Sequence, residues 1–89
     1  MIVGKVVGSL WATRKDEKLN GFKFLVIEPL YKNDGAKDYF VAADNAGAGV
    51  SDTVLITTGG GARASIENPE IPVDAVIVGV VDSIDIETE

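Results

Sequence analysis

The sequence predicts an all-β protein, a small five-stranded Greek-key barrel with one short helical turn. No window of about a dozen residues repeats apolar side chains at the helical spacing i, i+3, i+4 and i+7. Several short runs are instead rich in valine, isoleucine and aromatic residues and are bounded by glycine, proline, asparagine or aspartate, as strands usually are. Glycines inside the first run favour the tight curvature of a barrel over a flat sheet.

Five runs account for the predicted strands, and turn residues separate them. The runs are residues 1–13, 22–28, 39–43, 53–57 and 75–86. A charged loop over residues 14–20 ends at the turn pair Asn20-Gly21, which leads into the second strand. Residues 31–38 form a second loop, and the acidic residues 87–89 are expected to fray.

The last third of the chain predicts a strand that must be covered on both faces. Three glycines at residues 59–61 are followed by room for about one helical turn over residues 62–65. Residues 75–81 are apolar on both faces of the last strand, so both faces need cover. The barrel interior covers one face, and we expect a neighbouring subunit to cover the other. Five strands with one short helical insert match a single barrel domain of the OB type.

Size and composition favour self-association. A chain of 89 residues has a thin core of its own, since such a domain buries only about 60% of the surface that its unfolded chain exposes. The sequence contains no Cys and no His, which removes disulfides and the usual structural metal ligands. The apolar fraction of 46% and the mean hydropathy of +0.20 are high for so small a chain. We therefore expect part of the apolar surface to face other copies of the chain.

Charge and hydropathy argue against several classes of partner. Fourteen acidic and 8 basic residues give a formal charge of −6, so no attraction to nucleic acid or anionic lipid is expected. The longest apolar run, residues 75–81, is far shorter than the ~18 residues that span a bilayer. The N-terminus shows no signal-peptide pattern. We expect a cytoplasmic protein with neither a membrane nor a nucleic-acid partner.

Two glycine-rich segments form the candidate site, and neither fits a phosphate-binding loop. Residues 45–52 lack the third glycine and the following helix of a dinucleotide-binding loop, and residues 59–63 lack the Gly-Lys-Ser/Thr ending of a P-loop. We interpret these glycines as backbone that turns at positive φ or packs closely, including against another subunit. Arg63 follows them between two alanines, where its side chain has room to reach a carboxylate or a carbonyl. A solvated Arg63 is the alternative.

Catalytic chemistry and metal binding find little support in the residues. Without His or Cys, the usual acid–base and nucleophilic side chains are missing. Asp82 and Asp85 have opposite parity in the predicted strand and point to different faces. Asp44-Asn45 with Asp52 comes nearest to a hard-cation site, but it lacks the ligand pattern of an EF-hand. We expect no enzymatic activity, no cofactor and no metal.

A nucleic-acid function is the alternative, because OB-type barrels bind single strands by stacking bases on aromatic side chains in a basic groove. The aromatic candidates are Trp11, Phe22, Phe24, Tyr31, Tyr39 and Phe40. The basic residues are interleaved with acidic ones, so core packing is the better account of the phenylalanines.

Four blocks of sequence, in order along nearly the whole chain, carry a family resemblance. They are GSLWATRK at residues 8–15 with LNGFKFL at 19–25, DNAGAG at 44–49, TVLI at 53–56 leading to GAR at 61–63, and PVDAVIVGVVD at 72–82. In these blocks the chain resembles the bacterial microcompartment vertex proteins of the EutN/CcmL family. Many members have a further glycine and then Glu-Trp where this chain has Ser51-Asp52-Thr53, and the loop at residues 31–38 gives no strong match.

The resemblance implies a single OB-like barrel over residues 1–89 that assembles into a cyclic pentamer and caps the five-fold vertices of a cytoplasmic protein shell enclosing enzymes. It implies no catalysis by the subunit. Hexameric shell proteins are the further partners that it implies, and we expect their edges to be less acidic than this ring. The family's glycine motifs match seven positions, which become the candidates for subunit contacts or the narrow central opening: Gly47, Ala48, Gly49, Gly59, Gly60, Gly61 and Arg63.

Overall fold

The computed structural model describes residues 1–12, 15–30, 38–66 and 72–86. Over these residues the strands are β1 (Ile2–Leu10), β2 (Lys23–Pro29), β3 (Phe40–Asp44), β4 (Thr53–Thr58) and β5 (Ala75–Val80). A short 3-10 helix (Glu17–Leu19) lies between β1 and β2, and the helix α1 (Gly59–Ser65) lies between β4 and β5. In this part of the chain neither helix has the length or the apolar character to cross a bilayer.

The strands close into a barrel in the order β1-β2-β3-β5-β4. The neighbouring strands run antiparallel except β3 and β5, which run parallel through the pairs Ala43–Val76 and Asp44–Ile77. The pairing of β1 with β2 shifts register between Val6 and Gly8, an irregularity of the kind expected where glycines lie inside a strand. The predicted all-β class and the five-stranded OB-like barrel are confirmed.

The barrel interior holds the main apolar core. Val6 of β1 lies opposite Ile27 of β2, and both side chains are fully buried, as the in–out alternation of a half-buried strand requires. Side chains from all five strands and from the β3–β4 loop complete this core: Leu25, Ala42, Ala48, Val54, Ile56, Ala75 and Ile77. The barrel therefore has a packed interior of its own.

A second apolar cluster lies between the barrel and α1. Its buried members are Ala43, Ala62, Val73 and Val76, and Leu19, Phe22, Phe24, Ile66 and Val78 pack against them. Ala62 of α1 and Val76 of β5 are both fully buried in this cluster. The expectation that a neighbouring subunit covers the outer face of β5 is wrong at Val76, because α1 covers it within the same chain.

The helix is longer than predicted and includes all three glycines. It begins at Gly59, whose N–H donates to the carbonyl of Asp74 at 2.8 Å, so the helix start is tied to the segment leading into β5. Thr58 precedes it without a side-chain cap. Tertiary contacts thus extend a helix that local sequence, with three consecutive glycines, does not favour.

The last strand is shorter than predicted, ending at Val80 rather than at residue 86. Its partner β4 begins at Thr53, and the last backbone bond between them runs from the N–H of Val81 to the carbonyl of Thr53, at 2.8 Å. Residues 82–86 follow as an exposed segment. The predictions for residues 13–14, 31–37, 67–71 and 87–89 lie outside the described residues.

Candidate subunit-contact site

The first glycine segment lies in the β3–β4 loop and is shaped by Asp44, the last residue of β3. The carboxylate of Asp44 accepts hydrogen bonds from the N–H of Ala46 at 3.0 Å and from the N–H of Ala48 at 3.2 and 3.1 Å. Between these two residues Gly47 adopts a φ of +77°, which glycine reaches without steric cost. One carboxylate therefore sets the path of the chain around Gly47.

Further bonds hold the second half of the loop. Asp52 accepts the N–H of Gly49 at 2.8 Å, and the Nζ of Lys23 on β2 donates to the carbonyl of Ala48 at 2.7 Å. Backbone bonds of 2.9 Å join Val6 of β1 to Ser51 and Asp52. The loop is thus connected to β1, β2 and β3 and keeps a defined shape on the barrel.

The loop turns some of the predicted site residues outward and one inward. The side chain of Ala48 is 1% exposed and packs in the barrel core. It therefore anchors the loop to the core and is not available to contact another subunit. Gly47 is exposed and Gly49 is half-buried. Val50, which sequence analysis did not select, is 60% exposed beside them. The backbone at Gly47 and the side chain of Val50 are thus both accessible on the surface of the subunit.

The second glycine segment forms the first turn of α1. A Cβ at Gly61 would lie 2.6 Å from Oγ1 of Thr57, closer than real Cβ contacts come. A Cβ at Gly60 would meet no described atom within 4 Å, and Gly60 is exposed. Gly61 therefore allows α1 to pack against β4, whereas Gly60 offers open backbone. Arg63 lies further along α1.

The two segments lie at opposite ends of α1. The side-chain amide of Asn45, at the start of the loop, donates to the carbonyl of Ser65 at the end of α1, at 3.5 Å. A helix of seven residues is about 10 Å long, so Gly59 to Gly61 begin about that distance from this contact. The structure thus places the loop at the C-terminal end of α1 and the three glycines at its N-terminal end.

The other sequence candidates have structural roles. The carboxylates of Asp44 and Asp52 bind backbone N–H groups, and the described residues contain no group of three or more acidic side chains placed to hold a metal. Phe22 and Phe24 pack under α1 with ring centres 6.4 Å apart, and Phe40 packs against the barrel core. Trp11 and Tyr39 are exposed, and Tyr31 lies outside the described residues.

Sequence patterns could have identified some of the residues that were missed. An aspartate two residues before an amide N–H is a common turn device, and Asp44 bonds Ala46 in this way. The role of Lys23 depends on its strand position opposite Asp44, which pairing alone determines. No local signal indicates that Val50 points outward while Ala48 points inward.

Comparison with known proteins gives consistent matches. The family model described as "Ethanolamine utilisation protein EutN/carboxysome" matches residues 1–82. The carboxysome shell vertex protein CcmL of Synechococcus elongatus is 41% identical over 88 residues, covering 98% of this chain and 89% of the relative. The solved pentameric microcompartment shell protein GrpN of Rhodospirillum rubrum superimposes with a TM-score of 0.83 at 36% identity, covering 98% and 100%. Gloeobacter violaceus CcmL gives 0.84 at 32% identity, covering 98% and 91%.

Proposed function

This chain belongs to the EutN/CcmL family, and we propose that it is a structural shell protein that forms a cyclic pentamer and caps the five-fold vertices of a bacterial microcompartment in the cytoplasm. The observation that carries the proposal is the match, over nearly the whole chain, to relatives named shell vertex proteins and to a structure described as pentameric.

The surface of the subunit suits a ring. Cyclic symmetry brings one patch against a different patch on the next copy. Exposed apolar side chains lie in different segments of the chain, with Trp11 after β1, Val50 in the β3–β4 loop and Val80 at the end of β5. Each copy carries a formal charge of −6, so copies repel one another and the contacts need apolar or locally paired groups.

The two glycine segments are the proposed contact and pore elements. Gly47 and Gly49 with exposed Val50 form one element, and Gly59, Gly60 and Gly61 with Arg63 form the other. Ala48 contributes by anchoring the loop through its buried side chain. Accessible glycine backbone permits the close approach that chains converging on a symmetry axis need.

The further partners of the ring are the hexameric shell proteins, with no role for nucleic acid or membrane. We propose no catalytic role, since the sequence has neither Cys nor His and its relatives are named as shell vertex proteins. The alternative of a single-strand binding module gains no support, because Phe22, Phe24 and Phe40 pack on the apolar clusters.

Native mass spectrometry and light scattering test the ring. At micromolar concentration we expect a species of five chains of 9.4 kDa each. A stable monomer would overturn the proposal, while a six-membered ring would change its stoichiometry. Mixing the ring with hexameric shell proteins should then produce closed particles under the electron microscope, and omitting it should leave them open.

Arg63 gives a residue-level test of the site. If Arg63 pairs with an acceptor on the next subunit, Arg63→Glu weakens ring formation strongly, and Arg63→Lys weakens it less, because lysine keeps the charge but loses the forked donors of the guanidinium. Size-exclusion chromatography with light scattering over a dilution series measures the difference. Equal assembly of Arg63→Glu and the unmodified chain would show that Arg63 is solvated.

A further inference from the structure

The segment after β5 has the pattern of a strand, but no described strand lies beside it. Ile84 and Ile86 alternate with Ser83 and Asp85, the period of a half-buried strand. Residues 82–86 nevertheless join no strand ladder in the described part of the chain, and Ile84 and Ile86 are 42% and 63% exposed. Burying one face of this segment requires a surface that the described part of its own barrel does not provide.

The second half of β1 offers a strand edge to which such a segment can add. On its β4 side, β1 pairs with β4 from Ile2 to Lys5, and bonds to Ser51 and Asp52 extend the contact to Val6. The strand continues beyond it through residues 7–10, where Val7 lies at a register shift and, among the described strands, β2 is the one that pairs with Gly8, Ser9 and Leu10. Leu10 and Trp11 are exposed here, Trp11 to 86%. Free backbone groups beside apolar side chains accept an added strand.

Charge also favours contact between the segment after β5 and the second half of β1. Residues 82–89 contain four acidic residues and no basic residue. Residues 5–23, from the middle of β1 to the first residue of β2, contain five of the eight basic residues of the chain and two acidic ones. The Nζ of Lys15 lies 5.2 Å from the ring centre of Trp11, which places positive charge beside the exposed edge. An acidic segment and a basic stretch attract each other in a chain that is acidic as a whole.

We propose that residues 82–86 of one copy add as a strand to residues 7–10 of β1 on the neighbouring copy, with Ile84 and Ile86 on the same face of the pair as Leu10, and Ser83 and Asp85 on the face of Ser9. The proposal rests on the ring proposed above and supplies one of its contacts. Tail and edge are different patches, so each copy donates one tail and accepts another, as a closed ring requires.

Substitution of the two isoleucines tests whether burial of their side chains stabilises the ring. Ile84→Ser with Ile86→Ser should raise the chain concentration at half-assembly by about tenfold or more, since both side chains lose apolar burial. Ser83→Ala, on the polar face of the same segment, should leave it unchanged. Both variants should keep the circular dichroism of the unmodified subunit, because the segment lies outside both apolar clusters. Unchanged assembly of the double variant overturns the tail contact but not the ring; a monomeric unmodified chain overturns the ring itself.

Disulfide trapping tests whether the two segments lie side by side. The sequence has no cysteine, so only the introduced thiols can form disulfides. Ser9→Cys combined with Ser83→Cys, and Ser9→Cys combined with Asp85→Cys, place thiols on the polar faces of the proposed pair. At least one combination should form disulfides between chains, seen as a ladder up to the full ring on a non-reducing gel. The ladder should fade when Ile84→Ser and Ile86→Ser are added. Disulfides confined within single chains, or none in assembled rings, would overturn the proposal.

Discussion

The two glycine segments look alike in sequence, yet the fold controls them by different means. In the β3–β4 loop, the carboxylates of Asp44 and Asp52 accept backbone N–H groups and so impose the shape. At the start of α1 there is no side-chain cap, and close packing of Gly61 on Thr57 determines the position. Side-chain acceptors therefore govern the first segment, whereas a backbone bond from Gly59 to Asp74 and the available space at Gly61 govern the second. Removing an acceptor should damage the loop, and adding a methyl group should damage the helix.

The largest effect is expected for Asp44→Ala. The change leaves the partly buried N–H of Ala48 without its acceptor, which should lower the free energy of unfolding by about 2–3 kcal/mol. Urea unfolding at one fixed chain concentration measures this, because assembly also contributes to apparent stability. Asp44→Asn, which keeps one acceptor oxygen, should lose less. A loss within error for Asp44→Ala would mean that backbone bonds alone shape the loop.

Gly61→Ala comes next. The added Cβ would overlap Oγ1 of Thr57, and moving α1 away from β4 should cost about 1–2 kcal/mol of unfolding free energy. The cost should shrink when Thr57→Ala is combined with it, since the obstructing oxygen is then gone. A double-mutant cycle on the same urea unfolding curves gives this coupling. Additive effects would show that packing at this contact is not what positions the helix.

Gly47→Ala should have a smaller effect, confined to the loop. Gly47 has a φ of +77°, and a Cβ added there would meet no described atom within 4 Å. The cost of alanine at this position is therefore the strain of a left-handed backbone, about 1 kcal/mol. Gly49→Ala is the matched control, because Gly49 is not at positive φ and its nearest contact would be 3.9 Å away. In thermal unfolding, the melting temperature of the Gly47→Ala variant should be lower than that of the Gly49→Ala variant. Equal melting temperatures would contradict the loop conformation.

The smallest effect is expected for Gly60→Ala, and its direction is opposite. Gly60 is exposed in α1 with no atom near its missing Cβ, so alanine should stabilise the helix by about 0.5 kcal/mol. Dilute unfolding experiments measure the gain in the subunit, and light scattering measures assembly. If the backbone at Gly60 is covered in the ring, assembly should weaken while the subunit becomes more stable. Improvement in both would place Gly60 away from the subunit contacts.

Much of the barrel could be predicted because strand signals are local. Alternating apolar residues and turn pairs such as Asn20-Gly21 identified five strands to within a few residues, apart from the end of β5. That end depends on where β4 begins, at Thr53, and no pattern within residues 75–86 contains this information. The glycine segments were likewise visible in sequence, but the opposite orientations of Ala48 and Val50 were not.

By itself, the sequence determined the all-β class, the five strands and the family, since each depends on composition or on neighbours along the chain. Tertiary structure decided the closure of β1 on β4, the parallel pairing of β3 with β5 and the cover that Ala62 gives to Val76. It also decided that Lys23 reaches Ala48. These contacts join residues far apart in sequence, and their energy depends on which surfaces meet when the barrel closes.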